Sequence, residues 1–134
     1  MAKELVRNDW GVILDHAGLL ELQWLPSTTS MTDGGFMATL CLFATESEKA
    51  RPRGLLIDAI EFRHKFGDGV MAWRDAHIIP RYGGAGVRRF AFVMPPAFPN
   101  AGQESFEGPA IFPTRWFVNR EEAIRWLREG AQPR

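Results

Sequence analysis

The short apolar run Leu55-Leu56-Ile57-Asp58-Ala59-Ile60, set off by the breaking stretch Arg51-Pro52-Arg53-Gly54, constrains this chain more than any other feature. It is too short for a buried helix, and a compact apolar run of this kind belongs to a central strand buried on both faces. The flanking sequence must supply its neighbours. Leu5 to Asn8, Gly11 to Asp15 and Leu20 to Leu25 are short runs separated by Asn8-Asp9 and His16-Ala17-Gly18, which form turns, so they read as an antiparallel meander. In the third run Leu20, Leu22 and Trp24 alternate with Glu21 and Gln23, the period of a strand with one buried face.

Pro26 ends that strand, and the segment from Ser27 to Asp33 offers several N-caps for a helix whose Phe36, Met37, Leu40, Cys41 and Ala44 share a face and which ends near Lys49. After the central strand, Asp68 is a candidate N-cap for a second helix through Val70 to Ile78, which Pro80 bends or stops. Gly83-Gly84-Ala85-Gly86 reads as a turn into the strand Phe90 to Met94, and Pro95-Pro96 ends it. A loop rich in Pro, Gly and Phe runs from Ala97 to Pro113. Thr114 to Val118 gives a last strand, and Asn119-x-x-Glu122 reads as a capping box for a helix stopped at Gly130. The fold class is therefore α/β: a single mixed β-sheet, first an antiparallel meander and then βαβ-type crossovers, with helices packed on one side.

Size and charge narrow the function classes. One domain over residues 1–134 is expected, and 46% apolar residues, with ten Phe and five Trp, suffice for a packed core. Sixteen Lys and Arg balance sixteen Asp and Glu, so no basic field draws nucleic acid. The same neutrality, with Trp10 and Trp24 on a meander that helices need not fully cover, favours a homodimer. Cys41 is the sole cysteine, which excludes an intrachain disulfide and a cysteine-based zinc site. Its place on an apolar helix stripe suits a buried thiol. With no apolar leader and no membrane-length run, a cytoplasmic location is expected.

Four segments carry a family resemblance: Arg53-Gly54-Leu55-Leu56-Ile57-Asp58; Trp73-Arg74-Asp75 with Ile79-Pro80-Arg81-Tyr82; Ala85-Gly86-Val87-Arg88-Arg89-Phe90-Ala91-Phe92; and Phe117-x-x-Arg120-Glu121-Glu122-Ala123-x-x-Trp126-Leu127. Together they resemble the bacterial STAS-like, or SpoIIAA-like, domain proteins over nearly the whole chain. The resemblance implies a SpoIIAA-like fold and a regulatory or binding role; related folds also serve as lipid-binding CRAL-TRIO domains. The family's phosphorylation switch uses a Ser at the start of the helix after the central strand. This chain departs from it, because Ala59 to Met71 contain no Ser, Thr or Tyr to carry a phosphate.

His64 and His77, with Asp58, Glu61 and Asp75, have the chemistry of metal ligands or proton carriers, but their spacing matches no ligand motif, and no metal or cofactor is expected. The glycine-rich stretch leaves a helix rather than opening one, which argues against phosphate cradling. Ser105 lies outside any nucleophile-elbow frame. The remaining constellation joins His64, Trp73, Arg74 and His77 under the Ala97 to Pro113 loop, with Phe98, Phe106 and Phe112 as lid residues. An indole, a guanidinium and an imidazole near the carboxyl end of the central strand suit a partly apolar ligand. The expected function is a non-enzymatic module docking a protein partner or a lipophilic small molecule. The alternative is a small enzyme using His64 or His77 as acid or base.

Overall fold

A computed structural model describes residues 2–131 of the chain; Met1 and residues 132–134, part of the expected domain, lie outside the described residues. The meander forms as β1 (Lys3–Arg7), β2 (Gly11–Asp15) and β3 (Leu19–Trp24), paired antiparallel. Asn8 builds the first turn: its Oδ1 accepts the amides of Trp10 and Gly11, both at 2.9 Å. A 3-10 turn (Pro26–Ser30) leads into α1 (Asp33–Ala50), where Thr32 Oγ1 caps the helix by accepting the Gly35 amide at 3.1 Å. Then follow β4 (Gly54–Asp58), α2 (Val70–His77), α3 (Ile79–Gly84), β5 (Arg89–Val93), β6 (Glu104–Ser105), β7 (Thr114–Phe117) and α4 (Arg120–Ala131).

All strands join one seven-stranded sheet in the order β1-β2-β3-β4-β5-β7-β6. The central strands β3, β4, β5 and β7 are mutually parallel, and the outer pairs are antiparallel, which gives the mixed α/β architecture. Because the four parallel strands run the same way, Trp24, Asp58, Val93 and Phe117 all end at one edge of the sheet.

Helices cover both faces of the sheet, not one. Leu20, Leu22, Leu55, Ile57 and Phe90 pack on one face with Phe36, Leu40 and Phe43 of α1, Val70 of α2, and Ile79 and Tyr82 of α3. Leu19, Leu56, Ala91, Val93 and Phe117 pack on the other with Ala123, Trp126 and Leu127 of α4. The cause is in β4 and β5, which are apolar on alternate positions of both faces. Leaving either face in water would forfeit roughly 1.5–3 kcal/mol for each large aliphatic side chain.

Several local readings change with it. The break at Pro80 is present, since α2 ends at His77; Pro80 itself sits in the first turn of α3, where its missing amide costs nothing, and the two helices follow each other across Ile78. Gly83 and Gly84 close α3 rather than forming a free turn. Gly69, at φ 81°, is the N-cap of α2 in place of Asp68. α4 runs through Gly130, where any Cβ would collide with the Arg89 side chain; that guanidinium lies over the Trp126 ring and donates to the Trp126 carbonyl at 2.7 Å. Trp24 is 3% exposed and stacked on Phe36, whereas Trp10 is half-buried against the same core.

Glu21 departs furthest from its expected place. Alternation puts it on the polar face of β3, yet it is 0% exposed. Arg120, the first residue of α4, donates to both of its carboxylate oxygens, and His16 Nε2 lies 2.7 Å from Oε1. Arg120 also reaches Asp58 Oδ2 at 3.3 Å. Arg128 completes the clasp on α4, donating to the carbonyls of Ala17 and His16. Removing one partner of a buried pair strands the other charge. Arg120→Leu should therefore destabilise the fold by about 3 kcal/mol, the low end for a buried pair because the guanidinium is 36% exposed. Urea unfolding checks this; a loss below about 0.5 kcal/mol would show that Arg120 is an ordinary surface cation.

Candidate functional site

The parallel strands end at an apolar cavity of about 160 Å³ on the α1 side of the sheet, partly open to solvent. Trp24, Ile57, Phe90, Phe92 and Trp116 form its floor from β3, β4, β5 and β7, with Met94 just past the end of β5, while Phe36 and Leu40 of α1 form one wall. Met71 and Arg74 of α2 and Tyr82 of α3 close another. Period-two alternation makes this floor: Phe90 and Phe92 face the cavity while Ala91 and Val93 face α4. Phe92 and Trp116 stack at 5.9 Å between ring centres.

The remaining wall is the segment between β4 and α2. It has no regular structure, yet side chains hold it: Asp58 Oδ1 accepts the Ile60 amide, Thr28 Oγ1 accepts the Arg63 amide at 2.9 Å, and Asp33 accepts the Gly67 amide and lies 2.7 Å from His64 Nε2. Thr28 is itself buried and donates to the Leu25 carbonyl. So held, the segment presents Phe62 and Phe66 to the cavity, where they pack edge-on against Phe36 at 5.9 and 4.7 Å. Phe66 is 43% exposed and forms the outer end of this wall.

Of the residues singled out in the sequence, Arg74 lines the cavity. His64 sits directly behind the wall, its ring packed among Phe36, Phe62 and Phe66 and its Nε2 on Asp33. Trp73 packs against the core beside Arg74, with its ring 6.1 Å from exposed His77, and neither lines the cavity. Phe98 is half-buried and Phe106 is 61% exposed; neither lines the cavity either, and Phe112 is a core residue against Phe90. The Ala97 to Pro113 loop is thus not the aromatic lid. It reaches α2 through Glu107, whose Oε1 lies 3.6 Å from Arg74. Asp58, Glu61, Asp75, His64 and His77 are not brought together: Asp58 faces Arg120, Asp75 pairs with Arg74, and Glu61 with Arg63. No group of three or more His, Cys, Asp or Glu among the described residues could hold a metal ion.

Sequence reasoning missed Phe62, Phe66, Thr28 and Tyr82. Phe62 and Phe66 were within sight, because Glu61 to Asp68 follows the carboxyl end of the central strand, where open α/β sheets bind ligands. Thr28 carries no periodic signal at all. Tyr82 is the chemically unusual member: it is 1% exposed, its hydroxyl has no partner among the described residues, and burial pushes its ionisation far above the ordinary tyrosine value.

No protein-family model matches the chain, and no match was found among curated proteins or among solved structures. No helix among the described residues is long and apolar enough to cross a membrane.

On the α4 side, burial holds the Asp58 carboxyl above the ordinary aspartate value; Glu21 and Glu61 add to this, and the Ile60 amide and Arg120 oppose it. Between the ordinary and the raised value the folded chain keeps a proton that the unfolded chain has released, so stability falls as pH rises through that window. Asp33 and Glu48 have the opposite sign. The His64 and Arg81 hydrogen bonds lower their carboxyls, and their contribution is lost as pH falls. Asp58→Asn removes only the first effect. The melting temperature of the variant relative to wild type should climb as pH rises through the acidic window; a difference that stays flat would contradict the assignment.

Proposed function

We propose that this chain is a non-enzymatic binding module of the STAS-like type that takes a small, largely apolar ligand in the cavity at the carboxyl ends of its parallel strands. One observation carries the reading: side chains from β3, β4, β5, β7, α1, α2 and α3 converge on a single apolar space that they leave unfilled. Protein interiors normally close such spaces, because lining atoms without neighbours forfeit dispersion contacts. A concave apolar site with a few polar atoms is the usual form of a small-molecule pocket. The parallel order of β3, β4, β5 and β7 is compatible with the STAS-like resemblance, and the wall between β4 and α2 has no hydroxyl for that family's phosphorylation switch.

Acid or base catalysis by His64 or His77 has less support, since the imidazole of His64 is engaged by Asp33 behind the wall and His77 stands outside the cavity. Docking of a protein partner draws support from exposed Phe106 and Ile111 on the long loop, 61% and 78% accessible.

Toluene is the simplest probe. Near ten times its Kd, a ligand that binds only the folded state adds about 1.4 kcal/mol, or a rise of roughly 5 °C in melting temperature for a domain of this size. The fluorescence of Trp24 and Trp116, which line the cavity, should change over the same concentrations. Met71→Trp places a larger side chain from a half-buried position of α2 into the space and should abolish the rise. If toluene alters neither the melting temperature nor the fluorescence of the wild-type protein, the cavity is not a binding site.

A further inference from the structure

Resting on the cavity reading above, the geometry points to a narrower ligand class: a neutral compound of about one ring that carries a single hydroxyl or carbonyl, with that oxygen meeting the Tyr82 hydroxyl. Size gives the first part. An apolar protein cavity of about 150 Å³ accepts benzene, and the cavity here measures about 160 Å³, so one ring with a short substituent fills it, whereas a sterol or a long acyl chain exceeds its volume.

Polarity gives the second part. Apart from the indole N–H groups of Trp24 and Trp116, the walls are aromatic and aliphatic except at two residues, Arg74 and Tyr82. Tyr82 lies in α3 with its ring edge-on to Phe43 and Phe90, at 5.8 and 5.5 Å, so its position is fixed by core packing. Its hydroxyl is buried and has no hydrogen-bond partner among the described residues. A buried hydroxyl left unpaired is costly, and phenylalanine would fill the same ring position without that cost. A ligand oxygen in the cavity supplies the missing partner, as acceptor for the phenolic proton or as donor to the phenolic oxygen.

Charge gives the third part. Arg74 is the only cation lining the cavity among the described residues, and it is already engaged: its Nε and Nη2 donate to Asp75 Oδ1 at 3.2 and 2.9 Å, and Nη2 lies 3.6 Å from Glu107 Oε1. Two carboxylates around one guanidinium leave this end of the cavity with an excess of negative charge. The Asp75 and Glu107 side chains that carry this excess are 36% and 28% exposed, so water screens part of it. An anionic head group would have to displace one of those carboxylates. A neutral oxygen meets no such obstacle.

Three probes of one shape separate the possibilities: toluene with no polar group, p-cresol with a neutral hydroxyl, and p-toluate with a carboxylate, each titrated against the full chain by calorimetry or by the tryptophan signal. Wild-type protein should bind p-cresol about tenfold more tightly than toluene, and p-toluate no more tightly than toluene. Tyr82→Phe should bring p-cresol down to the toluene affinity, leave toluene unchanged, and melt no lower than wild type, because it removes an unpaired buried hydroxyl. Equal affinity for toluene and p-cresol in the wild type overturns the Tyr82 assignment while leaving the cavity as an apolar site. Tightest binding by p-toluate overturns it in favour of Arg74 as the head-group residue. Failure of all three to bind overturns the cavity reading itself. The wild-type series decides these outcomes even if Tyr82→Phe does not fold.

Discussion

A carboxylate in the middle of a central strand cannot remain there unpaired, and the arrangement of this molecule follows from how Glu21 is paired. Its strand, β3, lies between β2 and β4, and its side chain faces the surface that α4 covers. The cation that answers it, Arg120, is 99 residues away in the chain and opens α4, so the helix can dock only in the register that brings its first turn over β3 and β4. His16, from the turn before the same strand, takes the remaining approach to Oε1. Attraction alone does not make such a pair stabilising, since desolvation of both ions offsets much of it. What it provides is position: an Arg120 that missed Glu21 would leave a buried charge uncompensated, so competing placements of α4 are excluded.

With α4 fixed on one face, the two faces divide their tasks. The α4 face is filled: Leu19, Leu56, Ala91, Val93, Phe117, Trp126 and Leu127 close on one another, and the charges of Glu21, Asp58 and Arg120 answer among themselves. The α1 face is larger, and at the carboxyl edge of the sheet its layer is completed by an irregular segment instead of a helix. Helices pack with regular ridges, but a segment held by Thr28, Asp33 and Asp58 through main-chain amides need only bring Phe62 and Phe66 within reach of Phe36. The cavity is the space between that segment and the floor of β5 and β7. Its location at the ends of parallel strands is the one common to open α/β sheets, and here it arises from the place where helical cover stops.

Much of this was legible in the residues. The apolar run Leu55 to Ile60 places the central strand, period-two alternation gives β3, and the Asn119 cap of α4 is real, its Oδ1 accepting the Glu122 amide at 3.0 Å. The neighbourhood of the site was also legible, through Arg74 and the segment after β4. What escaped depends on long-range partners. Glu21 has the spacing of a solvent-facing residue, and nothing local reveals an arginine 99 positions on. The place of α4 follows from the two apolar faces of β4, both of which need cover, and not from any local signal in the helix itself. Phe98 and Phe106 are aromatics in a long loop, yet burial is decided by what lies opposite, and the aromatics of the shorter segment held by Thr28 and Asp33 line the space instead.

The methionines offer the most direct measurement of the central claim, that the space at the carboxyl ends of the parallel strands is where a ligand binds. Met71 and Met94 line it, whereas Met31 and Met37 pack elsewhere in the same core. In a protein with isotope-labelled methionine methyl groups, titration with p-cresol should shift the methyl resonances of Met71 and Met94 in a saturable manner and leave those of Met31 and Met37 in place. Shifts confined to Met31 and Met37, or a uniform drift of all four without saturation, would contradict the account.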